Sequence, residues 1–253
     1  MNAVSKTMIA ASIAAASLFS SAAYAAPYEQ FTVKPGESEF TFNADRMVGG
    51  YNEVITFTGN TFTVDLRADI GQFFNGAGQV LAGVSRLGVD YTLYAIYTAS
   101  GTVSTDGTVT TFTFTPNSGA FSLYKDSLST PDADVELANG VGLSGSGFLD
   151  SSLPSCGTDN GINCGSFGST TSFSLTDAGK EFFVAPDPFY NVSFQSGQLN
   201  SFEATGTQTI FGSLDIVFEN RDAEVPEPAS VGLLGLGMLG LYAARRRNGK
   251  KAA

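Results

Sequence analysis

The sequence has no histidine, no tryptophan and only two cysteines. Each absence removes a class of chemistry. Without histidine there is no Ser-His-Asp or Cys-His arrangement for nucleophilic catalysis, and no His-ligated metal. Two thiols without a third do not complete a zinc site. The lack of tryptophan removes the broadest platform for stacking on sugars and leaves nine tyrosines for that work. Positive charge is also scarce, with 13 Lys and Arg against 24 Asp and Glu. Six of the cations lie at the two ends: Lys6, and Arg245, Arg246, Arg247, Lys250 and Lys251. The segment between the ends, through Pro228, therefore holds seven cations against 24 carboxylates, a net charge of −17. Nucleic acid and anionic membrane surfaces repel such a segment, whereas divalent cations and cationic groups suit it. Solubility outside the cell explains the same charge without any partner.

Long apolar runs are confined to the ends. At the start, Lys6 precedes an apolar stretch from about Met8 to Phe19, and Ala23-Tyr24-Ala25 fits the small-x-small cleavage rule. This pattern predicts a secretory signal peptide over residues 1–25, cut after Ala25 or Ala26. The second run, Ala229 to Ala244, is sixteen residues without a charge. As a helix it spans about 24 Å, somewhat less than a hydrocarbon core of about 30 Å. Snorkelling by Arg245, Arg246 and Arg247 and local bilayer thinning make up the difference. The cations after it place that end in the cytoplasm and everything before it outside. A single transmembrane helix is thus expected here, within a C-terminal segment of residues 223–253.

Just before this run stand Pro226, Glu227 and Pro228. The prolines fix φ and hold Val225 and Glu227 extended, a form that a processing enzyme can grip. The triplet, the short apolar run and the arginine cluster, VPEPASVGLLGLGMLGLYAARRR, together resemble the PEP-CTERM sorting signal. That resemblance implies a transient membrane anchor that an exosortase recognises and processes. It also implies a Gram-negative host that makes exopolysaccharide, and an inner-membrane precursor destined for the cell surface or matrix.

What remains, residues 26–222, is enough for one domain with a substantial core. Cys156 and Cys164, in CGTDNGINC, predict a disulfide in an oxidising compartment. Asp159, Asn160 and Asn163 inside that loop are oxygen donors for Ca²⁺, but the EF-hand spacing is absent.

Strand signals dominate. FTVDL (Phe62 to Leu66), TFTFT (Thr111 to Thr115) and Thr209 to Glu219 alternate apolar and polar residues. Gly59-Asn60 and Asp106-Gly107 each mark a hairpin, the second a type I′ candidate. Asp90 to Ser100 is apolar on both parities, which predicts a central strand covered on both faces. LTDAGKEF (Leu175 to Phe182) suits a single helical turn, and Gly/Ser-rich Gly140 to Gly157 reads as a long loop. About ten to twelve strands without a long amphipathic helix predict an all-β fold, an antiparallel β-sandwich of jelly-roll type.

Candidate chemistry is sparse. Asp132, Asp134 and Glu136 alternate in PDADVEL and would share one face of a strand. They fit a weak Ca²⁺ site, or an edge strand guarded by charge. Two carboxylates alone suffice for a glycosidase, but no pair among 24 stands out. Tyr91, Tyr94 and Tyr97 keep a carbohydrate-binding module open as an alternative; Tyr91 and Tyr97 share a parity, and core packing is the commoner explanation for them. No catalytic residue is assigned, and no cofactor is expected beyond that Ca²⁺ option.

Five further stretches, MVGGYNEVITF, DYTLYAIYTASGT, NCGSFGSTTSFSLT, FFVAPDPFYNVSFQSGQ and GTQTIFGSLDIVFE, resemble the flocculation-associated PEP-CTERM proteins. The resemblance implies an exported, non-enzymatic protein by which cells aggregate in an exopolysaccharide matrix, with exosortase and matrix components as partners.

Overall fold

Alternation of buried and exposed side chains builds most of the fold. Between Arg46 and Thr58, Tyr51, Glu53, Ile55 and Phe57 are buried while Asn52 and Val54 face outward. The computed structural model describes residues 28–36, 38–128, 134–154, 156 and 164–220. The signal peptide, Pro226-Glu227-Pro228, the apolar run and Arg245 to Arg247 lie outside these residues, as do Asp132, Asp159, Asn160 and Asn163.

The described residues form thirteen strands and two short helices. They run β1 (Phe31–Val33), β2 (Phe42–Ala44), β3 (Arg46–Thr58), β4 (Thr61–Phe74), α1 (Ala82–Ser85), β5 (Tyr91–Asp106), β6 (Val109–Phe114), β7 (Ala120–Ser127), β8 (Val135–Asp150), β9 (Gly165–Ser172), β10 (Ser174–Leu175), α2 (Asp177–Phe182), β11 (Phe183–Ala185), β12 (Val192–Leu199) and β13 (Thr207–Glu219).

The large sheet closes on itself. β3 pairs β4, β4 pairs β5, and β5 pairs β6 and β7 in turn along its length. β6 and β7 occupy one position in the sheet, since both also pair β8. Pro116, which has no N–H for a ladder, lies in the break between them. β8 pairs β9, β9 pairs β12 and β12 pairs β13. β13 returns to β3 from Thr207↔Thr56 to Ile216↔Met47. Every pair is antiparallel, so the circuit is an up-and-down barrel of eight strand positions. The all-β antiparallel expectation holds, with facing apolar surfaces as in a sandwich. The jelly-roll connectivity is corrected: neighbours in the circuit are neighbours in sequence, apart from the β10–α2–β11 excursion between β9 and β12.

The barrel is mainly apolar inside and mainly polar outside, although Val54, Phe148, Phe194 and Phe211 are exposed. On β4, Phe62, Val64, Ala68 and Ile70 are buried, while Thr61, Thr63, Asp65, Arg67 and Asp69 face water. A transmembrane barrel shows the reverse pattern. No helix of the described residues is long and apolar enough to cross a membrane.

Each end of the barrel is filled by its own cluster. At the end where β3 begins, the small sheet β2–β1–β11 and α2 pack against Met47, Phe73, Tyr91 and Phe218. Phe31 meets Phe218 edge-on at 5.1 Å, and Phe173 meets Phe218 at 4.7 Å, within the range of favourable aromatic contacts. The other end holds Phe57, Phe62, Phe112, Leu149, Leu199 and the Cys156–Cys164 disulfide.

Several local expectations change. Gly140 to Asp150 is not loop but most of β8. Two of its glycines stand where aromatic side chains press on the strand, Gly142 against Tyr97 and Gly145 against Phe114, where a Cβ would come within 2.7 Å of the ring. Composition read as loop is here the small-residue wall of a barrel. The hairpin after β5 turns on Gly107-Thr108, because Asp106 still pairs Val109. Only Gly107 of the two has positive φ, which is the type II′ requirement rather than I′. β8 is also no edge strand, since β7 pairs it on one side and β9 and β10 on the other.

Candidate functional site

The barrel interior between the two end clusters holds a cavity of about 60 Å³. At roughly 10–15 Å³ per water, it has room for about four to six water molecules. Its lining is mainly apolar, including Ile55, Phe62, Val64, Leu66, Phe112 and Phe167. Four polar side chains join them: Glu53, Tyr97, Ser169 and Gln195.

Each reaches the cavity by strand parity. Glu53 points inward from β3 with Tyr51 and Ile55. Leu66 of β4 stands opposite Glu53 on one side and opposite Tyr97 of β5 on the other. Ser169 of β9 stands opposite Gln195 of β12. Tyr97 Oη lies 3.3 Å from Ser169 Oγ, a contact between two non-adjacent strands. A glycine opposite makes room for it: a Cβ on Gly142 would stand 3.0 Å from that hydroxyl.

Deep polar groups must find partners, and most here do. Gln195 Nε2 donates to Ser193 Oγ at 2.6 Å and to Thr171 Oγ1 at 3.1 Å. Thr171 Oγ1 and Ser193 Oγ are 2.7 Å apart. With both amide protons so engaged, Gln195 offers the cavity its carbonyl oxygen.

Glu53 is the exception. It is only 7% exposed, and no hydrogen bond or ion pair reaches its carboxyl among the described residues. No lysine or arginine lines the cavity. Burial in this apolar wall disfavours the charged form and pushes the carboxyl from its ordinary 4.5 up to about 7. Its negative charge in turn helps hold the Tyr97 hydroxyl protonated, after burial.

The residues singled out by sequence fall elsewhere. Tyr91 and Tyr97 share the inward parity, as expected. Tyr91 is buried and donates from Oη to the Ser85 carbonyl at 3.0 Å. Tyr94 faces outward, but both of its faces are covered. The Arg67 guanidinium sits 3.8 Å from its ring centre, and Tyr124 stacks at 5.1 Å. These three rings do not form an open stacking platform.

Asp134 accepts a hydrogen bond from Tyr94 Oη, and Glu136 accepts one from Ser122 Oγ at 2.8 Å. The two carboxylates share the outer face, as their alternation predicts, but each is tied to its own neighbour. No group of three His, Cys, Asp or Glu able to hold a metal occurs among the described residues. Cys156 and Cys164 do form a disulfide, with Cα atoms 5.3 Å apart. Sequence reasoning missed the cavity. Its one legible signal is Glu53 itself, a charge on the same parity as Tyr51, Ile55 and Phe57.

In comparison with known families, residues 224–247 fit the family described as a PEP-CTERM protein-sorting motif. The segment contains Pro226, Glu227, Pro228 and the arginine cluster, and it supports an exported exosortase substrate. No curated protein and no solved structure matches the chain.

Proposed function

We propose that this chain is an exported, non-enzymatic protein of the cell surface or extracellular matrix, sorted by an exosortase. In this reading it promotes cell aggregation in flocs or biofilms together with exopolysaccharide. The observation that carries it is the sorting-motif match over residues 224–247. The division of labour follows: residues 1–25 direct export, 26–222 do the work outside, and 223–253 anchor the precursor until processing. Pro226-Glu227-Pro228 is the recognition segment, and Arg245 to Arg247 stop transfer at the inner membrane of a Gram-negative cell.

Three features of the barrel support a working life outside the cell. Its outward residues are mostly polar, its charge is strongly acidic, and it carries a disulfide. A non-enzymatic role fits the cavity, where Glu53 is the sole carboxylate among the lining residues and lacks the partner that acid–base hydrolysis of a glycoside uses. Nothing in the arrangement of Tyr91, Tyr94 and Tyr97 favours the carbohydrate-binding alternative.

Deletion of the gene tests the reading. Cells should still make exopolysaccharide of unchanged composition yet remain dispersed. An altered polymer would point instead to an enzyme of polymer synthesis or trimming.

A further inference from the structure

The barrel interior has the features of a small-molecule site. An eight-stranded barrel is just wide enough to be filled by its own side chains or to hold one small ligand. This one is filled at both ends but not between them. The space of about 60 Å³ takes a small molecule of roughly four to six water-sized groups.

We propose that the lumen binds a small apolar amine, with its nitrogen held by Glu53 and its hydrocarbon body against Phe62, Val64 and Leu66. The choice of head group follows from the donor and acceptor inventory. An ionised carboxylate only accepts, and the Gln195 amide has its protons engaged by Thr171 and Ser193. The Tyr97 and Ser169 hydroxyls bond each other and leave one O–H between them, so acceptors outnumber donors in the lumen and a complementary ligand brings N–H donors. It must also bring positive charge, because no cation among the lining residues balances Glu53. Buried charges persist when paired and hydrogen-bonded. An ammonium supplies both the charge and the donors.

The choice of body follows from the wall. A buried, mostly apolar surface holds water poorly and hydrocarbon well. A polyamine or a sugar would leave polar groups against Ile55, Phe112 and Phe167, at the cost of their lost hydration. The excess negative charge of the exported segment also raises the local concentration of cations around the barrel. Glu53 is distinct from the sorting segment and from the outer-face carboxylates Asp134 and Glu136, so this site stands whether or not the matrix role does.

The exported protein is titrated calorimetrically at pH 8 with n-pentylamine, n-pentanol and pentanoate. Pentylamine should saturate at one molecule per chain and bind at least about tenfold more tightly than pentanol, given the strength of charge-assisted hydrogen bonds. Pentanoate should not bind. Glu53→Gln, which keeps the side-chain shape, should weaken pentylamine about tenfold or more while leaving pentanol unchanged. Ala95→Leu and Ala68→Leu, which fill the lumen, should abolish both. Carboxyl NMR of the wild-type protein gives an independent readout, in which pentylamine should draw the Glu53 pKa below its free value of about 7. Cooperative melting checks that each variant folds, and if a variant does not, the Glu53 shift alone decides. Absent pentylamine saturation, equal binding by Glu53→Gln, or pentanol bound as tightly as pentylamine would each overturn the proposal.

Discussion

Glu53 is where a single residue most changes how the protein behaves. Its folded-state pKa of about 7 exceeds its ordinary 4.5 because burial disfavours the charge. The folded protein thus holds a proton that the unfolded chain has released across that window. Stability contributed by the protonated form is intact below pH 4.5, declines as pH rises toward 7, and is gone above it. The full effect is about 3 kcal/mol. Denaturant unfolding of wild type and Glu53→Gln at pH 5 and pH 8 should show it: wild type loses stability relative to the variant at pH 8. A pH-independent difference would mean that Glu53 reaches water or a partner. Gly179 is a second such residue. A Cβ there would overlap the Leu137 carbonyl oxygen, a backbone atom that cannot swing aside. Gly179→Ala should lower stability by about 1–3 kcal/mol, read from the urea midpoint, despite the better helix propensity of alanine.

At the scale of elements, α2 and the disulfide do similar work at opposite ends of the barrel. α2 is only six residues, too short to persist alone. Thr176 caps it by accepting from the Gly179 N–H at 3.0 Å, and Phe182 and Phe183 pin it to the aromatic cluster. At the other end, Cys156 and Cys164 tie the β8–β9 connection and are buried beside Leu149 and Leu199. Thiol labelling of exported protein without reductant should find no free cysteine. Reduction should cost about 2–3 kcal/mol, the loop-closure value for so short a link, while the barrel still melts cooperatively.

For the whole molecule, closure is the central property. A closed sheet has no exposed edge along its length to pair with another chain. The strands of the barrel end at Glu219, before the sorting segment at residues 224–247 begins. The intact mass of exported protein should lack both residues 1–25 and the apolar tail. A mature chain that retains Arg245 to Arg247 would contradict removal of the tail, though not anchoring by it.

Periods of two residues and the C-terminal motif are local properties, and the sequence alone determined what rests on them. Alternation at Phe62 to Leu66 and from Ile210 to Phe218 placed strands and their inner faces correctly. The Pro226-Glu227-Pro228 motif, its apolar run and its arginines marked a sorting signal, and the cysteine pair marked a disulfide. Tertiary structure decided what depends on distant partners. Pairing of β13 with β3 and of β8 with β9 turns a run of strands into a barrel, and no local pattern says which strand will find which. Gly142 and Gly145 of β8 read as loop because their purpose, room for Tyr97 and Phe114, lies on other strands. Glu53 carried an inward parity in plain view. Its meaning emerged only with closure, which buries it in an apolar wall away from bulk water and raises the free energy of its charge.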